Sequence, residues 1–221
     1  ITVAPALTGG TISDPGGQSI CLGGDPDNMT ITGGDTPAAS DIFYQWEKST
    51  TASTTGFTAI AGITSPSYDP PLGLTETTWY RRAIIRRSGL TELCREYSRV
   101  KQVTVNVVDA GSISSSIEIC QSQPTVIGSL GDAIGNGGAS PVTYLWQRNN
   151  AGAWAPASTV SGSNSASNYS IPSSIYNAPG TYQFRRDAVV GTCSVTKYLN
   201  FLNSNLNAVS DNVESGASFF L

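Results

Sequence analysis

Short segments in which apolar and polar residues alternate recur along this chain, separated by turn-forming residues. In RVKQVTVNVV, the side chains of Val103, Val105 and Val107 alternate with polar neighbours, which is the period of a half-buried antiparallel strand. Other predicted strands are SICLG, IFYQWEKS and TTWYRRAIIRR in the first half, and SIEICQS, VTYLWQRN, GTYQFRRDAVV and SVTKYLNFL in the second. No long helical pattern occurs. The pattern therefore predicts an all-β protein of short strands and tight turns.

The two halves of the chain repeat one another. FYQWEKS, which begins at Phe43, corresponds to TYLWQRN, which begins at Thr143. Four further segments recur in the same order about 100 residues later. These are GGTIS with AGSIS, GFTAI with GAWAP, SYDPP with NYSIP, and YRRAII with FRRDAV. We therefore predict two tandem repeats, residues 1–108 and 109–204. The remaining segment, 205–221, is a candidate for the first strand of a further repeat.

The four cysteines share this periodicity. Cys21 and Cys94 are 73 positions apart, and so are Cys120 and Cys193. The identical spacing predicts one disulfide within each repeat, Cys21–Cys94 and Cys120–Cys193, with four free buried thiols as the alternative. We expect the second cysteine of each repeat in the hairpin after the penultimate strand, or at the start of the last strand. Disulfides would imply an oxidising compartment, and hence an exported protein.

A tryptophan lies between the two cysteines of each repeat. About seven short strands, with a tryptophan on the third, predict an immunoglobulin-like antiparallel β-sandwich. Trp46 and Trp146 are then the central core residues. Tyr80 and Phe184, each followed by two arginines, are expected to face inward beside them.

Composition narrows the functional classes. The chain of 221 residues has 23 glycines, 12 prolines and a net charge of -4, which gives no reason to expect nucleic acid or anionic lipid as a partner. No apolar run approaches the roughly 20 residues of a membrane helix. Histidine, the usual general base, is absent, and no motif of a nucleophile, metalloprotease or phosphate loop occurs. We therefore expect neither enzymatic activity nor a cofactor.

Two groups of side chains are candidates for ligand binding in the first repeat. Trp79 has the polar Gln183 as its counterpart, so we expect it to face outward, where it could stack on a sugar ring or pack against a neighbouring domain. Arg81, Arg86 and Arg87 make the same region basic. That region could meet an anionic polysaccharide or a neighbouring acidic repeat, and a solvated hairpin face is the alternative.

The paired arginines also recur, as Arg81–Arg82 and Arg185–Arg186. Neighbours in a strand point to opposite faces. One arginine of each pair is therefore expected to pack inward or along the edge of the sandwich, with its guanidinium on a carboxylate or a carbonyl.

The segment GGDPDN offers a weak candidate for calcium. Asp25, Asp27 and Asn28 place oxygen ligands close together, as calcium loops do. The bidentate glutamate of an EF-hand is missing, and the second repeat has QSQPTV in this place. An ordinary turn is the alternative interpretation.

Several segments of the first repeat together resemble the Ig-like repeats of very large Bacteroidetes cell-surface adhesins of the SprB gliding-motility type. These segments are GGTIS, QSICLGGDP, YQWEKS, FTAIAGITSPSYDPPLGLTETTWYRR and VTVNV. The resemblance covers nearly all of the first repeat and, more loosely, the second, which replaces IAGITSPSYDPP with ASTVSGSNSASNYSIP. It implies type IX secretion, display on the outer membrane, and contact with surfaces or polysaccharides.

These observations favour a structural role, in which adjacent repeats form a stalk that projects a binding tip. One alternative is a glycan-binding module acting through the first repeat. The other is a subunit of an extracellular filament, in which segment 205–221 complements the sheet of a neighbour.

Overall fold

A computed structural model of the chain describes residues 6–13, 17–34, 41–120, 125–157 and 165–204. In this part of the chain, regular structure is almost entirely β, which confirms the predicted all-β class. The chain divides into two compact units, residues 1–106 and 107–221, and each unit has its own hydrophobic core. Segment 205–221, for which a strand of a further repeat was predicted, lies outside the described residues.

The described part of the first unit forms one large sheet and one small strand pair. Its strands are β1 (Thr11–Ile12), β2 (Gln18–Cys21), β3 (Ile31–Thr32), β4 (Ile42–Ser49), β5 (Thr58–Ala59), β6 (Thr78–Ser88), β7 (Thr91–Tyr97) and β8 (Lys101–Asn106). The large sheet has the order β2-β8-β6-β4-β5, with β7 also paired to β6, while β1 pairs with β3. Strand β2 runs parallel to β8, and the other pairs are antiparallel.

The core of the first unit follows from the alternation along β4 and β6. Trp46 and Tyr80 are 0% and 1% exposed, and the ring of Tyr68 packs against both, with centroids 5.6 and 5.9 Å away. The apolar side chains that join them come from β1, β2, β8 and the loop before β3: Ile12, Ile20, Met29, Val103 and Val105.

The second unit repeats this arrangement. Its described strands are β9 (Val108–Asp109), β10 (Ser112–Ile113), β11 (Ser116–Cys120), β12 (Val126–Ile127), β13 (Ser129–Gly131), β14 (Ile134–Gly135), β15 (Thr143–Asn150), β16 (Ala153–Pro156), β17 (Tyr169–Ser170), β18 (Gly180–Val190) and β19 (Cys193–Ser204). A 3₁₀ turn covers Asn136–Gly138, and a short helix, α1, covers Ser173–Tyr176. The large sheet has the order β11-β19-β18-β15-β16, with β11 parallel to β19.

The second core is built around the counterparts of the first. Trp146 and Phe184 are both 0% exposed. Tyr169 stacks on Trp146 with centroids 5.6 Å apart and also contacts Phe184. Three further apolar side chains of this core come from β12 and β19: Ile127, Leu199 and Phe201.

The cysteines do not pair as their spacing predicted. Cys21 and Cys193 are disulfide-bonded, whereas Cys94 and Cys120 are free and exposed. The predicted bridges Cys21–Cys94 and Cys120–Cys193 are therefore wrong. The alternative of four free thiols is wrong as well.

Strand register explains why the first predicted bridge cannot form. Cys21 lies opposite Asn106, beyond the end of β6 that begins at Thr78. Cys94 lies in β7, opposite Arg86 near the other end of β6. The stretch from Thr78 to Arg86 alone spans about 26 Å at roughly 3.3 Å per residue, whereas a disulfide needs Cα atoms within about 7 Å.

The same geometry separates the cysteines of the second unit. Cys193 is the first residue of β19, which has 12 residues. Cys120 lies opposite Ser204, the last residue of that strand. The two ends of β19 are about 36 Å apart at roughly 3.3 Å per residue. Equal spacing along the chain thus reflects the duplication, and the two cysteines of each unit lie at opposite ends of its sheet.

Candidate binding surface

Side chains alternate between the two faces of β6. Tyr80 and Arg82 are buried, so Trp79 and Arg81 lie on the face that points away from the core. We call this side of the first unit's large sheet the outer face. Trp79 lies between Ser49 on β4 and Gln102 on β8. It is half-buried, so only part of its ring is open to a ligand.

Arg81 is held between aromatic rings and a carboxylate. Its guanidinium lies 4.1 Å from the ring centroid of Phe57 and 3.7 Å from that of Tyr97. Its Nη2 forms an ion pair with Glu47 Oε2 at 2.7 Å, and its Nε donates to the same oxygen at 2.8 Å. Stacking on two rings together with two donors on one carboxylate oxygen fixes the position of the arginine. Arg81 is therefore engaged within the protein.

A second arginine shares the same carboxylate. Arg95 Nη1 lies 3.0 Å from Glu47 Oε1, and its Nε and Nη2 donate to the two oxygens of Glu92 at 2.8 Å. The hydrogen bonds from Arg95 lower the pKa of the Glu92 carboxyl, and the carboxylate of Glu92 in turn raises the pKa of Arg95. Much of the charge that made this region look basic is thus neutralised by Glu47 and Glu92.

Arg86 and Arg87 lie toward the opposite end of β6 from Trp79. Arg86 Nε is 3.3 Å from Asp41 Oδ2, and the guanidinium of Arg87 lies 5.2 Å from the ring centroid of Phe43. The structure brings Trp79 and Arg81 together on the outer face. It does not gather Trp79 with Arg86 and Arg87 into one site.

The second arginine of each repeated pair, Arg82 or Arg186, is buried. Arg82 is 2% exposed; its Nη1 donates to the carbonyl of Pro66 at 3.1 Å, and its guanidinium lies 3.9 Å from the ring centroid of Tyr44. Arg186 is 1% exposed, and burial lowers the pKa of both arginines.

Arg186 donates three hydrogen bonds, two to backbone carbonyls and one to a serine hydroxyl. Its Nη2 donates to the carbonyl of Ala110 at 2.7 Å, and its Nη1 donates to Ser129 Oγ and the carbonyl of Ser167 at 3.1 Å. A cation in this position joins β18 to three separate segments of its unit. The two inward arginines are therefore structural, and they lie at equivalent places in the two units.

The corresponding side of the second unit's large sheet carries Gln183 and Arg185, which alternate with the buried Phe184 and Arg186; this outer face of the second unit has different chemistry. Gln183, the counterpart of Trp79, accepts a hydrogen bond from Asn149 at 2.8 Å. Arg185 donates to Gln147 Oε1 at 2.6 Å, where the first unit has the carboxylate of Glu47. Its guanidinium lies 4.8 Å from the ring centroid of Trp154. Amides thus take the places of a tryptophan and an acid.

Two surface clefts beside these residues are small. One of about 190 Å³ lies beside Arg82, lined by Tyr44, Gly34 and Pro66 among others. Another of about 310 Å³ lies over Asn149 and Gln183 on the second unit. Pockets for small ligands usually hold about 300–1,000 Å³, so the first is below that range and the second is at its lower limit.

The calcium candidates lie in the loop between β2 and β3. The side chains of Asp25, Asp27 and Asn28 are exposed, and the backbone N–H of Asp27 donates to Gln18 Oε1 at 3.0 Å. Among the described residues, no cluster of three or more His, Cys, Asp or Glu side chains could hold a metal ion.

Comparison with known proteins bears on the fold. Residues 8–107 match a family described as "Domain of unknown function (DUF8696)". No curated protein sequence is detectably similar to the chain. In the part of the chain that the structure describes, we find no helix with the length and apolar character needed to cross a membrane.

Several solved structures are similar over most of the chain. Three N-terminal domains of the bacteriophage RB49 outer capsid protein Hoc share 12% identity, cover 89% of this chain and 69% of their own, and give a TM-score of 0.52. The titin I-band fragment I67–I69 shares 13% identity over 91% of this chain and 67% of its own, with a TM-score of 0.48. Sidekick-1 immunoglobulin domains 1–4 share 14% identity over 90% and 48%, with a TM-score of 0.38. At these identities the likeness concerns the fold alone.

Proposed function

We propose that this chain is part of the stalk of a large exported cell-surface adhesin, in which immunoglobulin-like repeats project a binding element. The resemblance of its first repeat to adhesins of the SprB type supports this proposal, and it extends the proposal to type IX secretion and display on the outer membrane. The bonded state of Cys21 and Cys193 indicates an oxidising compartment, which supports export.

The observation that carries the proposal is which parts of the two units are alike. The inward side chains correspond: Trp46 with Trp146, and Arg82 with Arg186, all at most 2% exposed. The outer faces differ, since Gln183 replaces Trp79. A chain that repeats its scaffold and varies its surface is typical of a structural repeat, in which stacked modules supply length.

The state of the surface charges supports the same role. Arg81 and Arg95 share Glu47, and Arg86 pairs with Asp41. Lys101 is buried and donates to the carbonyl of Ser13 at 3.2 Å. These cations already have partners within the protein, so they contribute little to an anion-binding surface.

One observation favours glycan binding as a second candidate function. Trp79 remains partly exposed on the outer face, beside the stacked Arg81. A partly exposed indole next to a fixed cation is a surface on which a sugar ring could stack. The filament alternative depended on segment 205–221, which lies outside the described residues.

A titration against a broad glycan panel separates the first two roles. The chain would be measured beside two variants, Trp79→Ala and Trp154→Ala, the second of which removes a half-buried outer-face tryptophan from the other unit. A stalk predicts no saturable binding by the unaltered chain. Saturable binding that Trp79→Ala abolishes and Trp154→Ala retains would replace the stalk role with that of a glycan-binding module in the first unit.

A further inference from the structure

The two inward arginines share one hydrogen bond. Arg82 Nη1 donates to the carbonyl of Pro66, and Arg186 Nη1 donates to the carbonyl of Ser167, each at 3.1 Å. Each of these carbonyls comes one residue after the carbonyl that accepts from the indole of the core tryptophan, so the two acceptors occupy equivalent places. The same anchor therefore holds the guanidinium in both units.

A second acceptor is present in one unit and missing from the other. The hydroxyl of Ser129, which β13 places opposite Ile113, accepts from Arg186. In the first unit, the residue opposite the equivalent Ile12 is Ile31, whose side chain has no polar atom. The first unit's inward arginine therefore lacks the hydrogen bond that a serine provides in the second.

Arg82 is a buried cation that forms no ion pair with an acid among the described residues. It is 2% exposed, and its Nε, like that of Arg186, has no hydrogen-bond partner there. The ring of Tyr44 lies 3.9 Å from the guanidinium, and burial lowers the pKa of Arg82. Since an aromatic face stabilises a buried cation less than a paired anion does, the charge of Arg82 is only partly compensated.

The guanidinium of Arg82 borders the cleft of about 190 Å³, which is also lined by Thr30 and Ser67. Gly34 lines the same cleft, and a Cβ atom at this glycine would lie 3.1 Å from Arg82 Nη2. The absence of that atom leaves space beside the nitrogen. At roughly 30 Å³ for each water molecule, the cleft has the volume of about six waters, which suits a carboxylate, sulfate or phosphate group.

We propose that this cleft is an oxyanion site, in which Arg82 binds a carboxylate, sulfate or phosphate group. Nη2 of Arg82 donates to one anion oxygen beside Gly34, and the hydroxyls of Thr30 and Ser67 donate to the others. The anion provides the acceptor that Ile31 cannot provide, and it neutralises the buried cation. Because it binds only the folded chain, it stabilises the first unit.

The site is independent of whether the chain serves as a stalk or binds a glycan. Arg82 points to the opposite face of β6 from Trp79. Loss of the anion site would therefore leave the outer face and its glycan titration unchanged, and the two proposals can fail separately.

Side-chain NMR of the two inward arginines tests the site. The chain is labelled with ¹⁵N, and the Nε–H signals of Arg82 and Arg186 are followed while sodium acetate, sodium sulfate or sodium phosphate is added. The pH is fixed, and the ionic strength is held constant with sodium chloride. Arg186 is the internal control, because its terminal nitrogens already donate to three acceptors in its own unit.

Two substitutions at one position provide a matched pair. Ile31→Thr and Ile31→Val give side chains of nearly the same shape, but only threonine brings a hydroxyl to the place that Ser129 has in the second unit. We expect Ile31→Val to keep the affinity for the anion. Ile31→Thr should weaken it at least about fivefold, because one further acceptor then competes for the guanidinium.

Urea denaturation gives a second readout on the same pair. Sulfate raises the unfolding midpoint of both variants through its exclusion from the protein surface. Only Ile31→Val should show the additional increase that comes from binding to the folded state. Equal increases in the two variants would contradict the proposal.

We expect a saturable shift of the Arg82 Nε–H signal that is several times larger than the shift at Arg186. Saturation by acetate alone would define the ligand as a carboxylate, and saturation by sulfate or phosphate would define it as a tetrahedral oxyanion. The proposal is overturned if none of the three anions gives a saturable shift, if the two arginines respond equally, or if Ile31→Thr and Ile31→Val bind the anion equally well.

Discussion

Replacement of Arg186 by methionine should destabilise the second unit through lost hydrogen bonds. Methionine keeps most of the buried stem, so cavity formation contributes little. It removes the guanidinium, which donates hydrogen bonds to the carbonyls of Ala110 and Ser167 and to the hydroxyl of Ser129. Three acceptors from separate segments are left without their common donor.

The expected cost follows from how well each acceptor can be rehydrated. An acceptor left unsatisfied in the interior costs about 1–3 kcal/mol. Ala110 is 4% exposed and should carry the full cost, whereas Ser129 and Ser167 are partly accessible and can recruit water. Relief of the guanidinium's burial, which lowers the pKa of Arg186, offsets part of the loss. We expect a net decrease of roughly 2–3 kcal/mol in the free energy of unfolding.

Arg185→Met provides the matched control on the neighbouring residue. Arg185 points outward, to Gln147 and the ring of Trp154, so its loss should cost no more than about 1 kcal/mol. Urea denaturation gives the two free energies. Hydrogen exchange measured by mass spectrometry assigns the change to residues 125–157 and 165–204. The reasoning fails if Arg186→Met lies within about 1 kcal/mol of the unaltered chain, or if Arg185→Met is equally damaging.

Further changes test other parts of the structure. Burial raises the pKa of Tyr80 and Tyr169 to about 12, so these two hydroxyls stay protonated in the folded state to higher pH than in the unfolded chain. Their contribution to the free energy of unfolding should be complete below about pH 10. It should be lost as the pH rises toward 12, by on the order of 2–3 kcal/mol per tyrosine. Absorbance titration of the folded chain checks this, and complete tyrosine ionisation near pH 10 without unfolding would contradict it. Glu47→Gln removes the carboxylate that two arginines share and should cost the first unit about 1–2 kcal/mol in urea denaturation; an unchanged midpoint would show that the ion pairs contribute nothing net. Gly111 and Gly137 both have positive φ, but a Cβ at Gly111 would lie 2.2 Å from a backbone oxygen while one at Gly137 meets nothing within 4 Å. Gly137→Ala should therefore cost about 1 kcal/mol and Gly111→Ala several times more, and equal midpoints in urea would refute the close approach.

Strands with a clear alternation could be located from the sequence. The predicted IFYQWEKS and GTYQFRRDAVV coincide with β4 (Ile42–Ser49) and β18 (Gly180–Val190). Alternation is a local property, because successive side chains point to opposite faces wherever a strand forms. Helix α1 and strand β7 (Thr91–Tyr97) were not among the predicted elements. In β7 most side chains are exposed, so no alternation marks it.

The candidate ligand site was only partly predictable. The replacement of Trp79 by Gln183 in the other repeat predicted that this position faces outward, and Trp79 lies half-buried on the outer face. The ring stack of Arg81 between Phe57 and Tyr97 could not be inferred, since the three residues come from different strands and a loop. The local excess of arginine also suggested a free basic surface, whereas Glu47 reaches two of these cations across the sheet.

By itself, the sequence determined the duplication, the all-β class and the residues around which each core forms. These features depend on local periodicity and on comparison of the chain with itself. Tertiary structure alone decided the partners of the cysteines and of the charged groups. Cys21 and Cys94 have the same spacing as Cys120 and Cys193, yet strand register places each pair at opposite ends of a sheet. A disulfide or an ion pair forms only between groups that lie within a few ångströms of each other across the strands. Those distances cannot be deduced from the number of residues between the two groups.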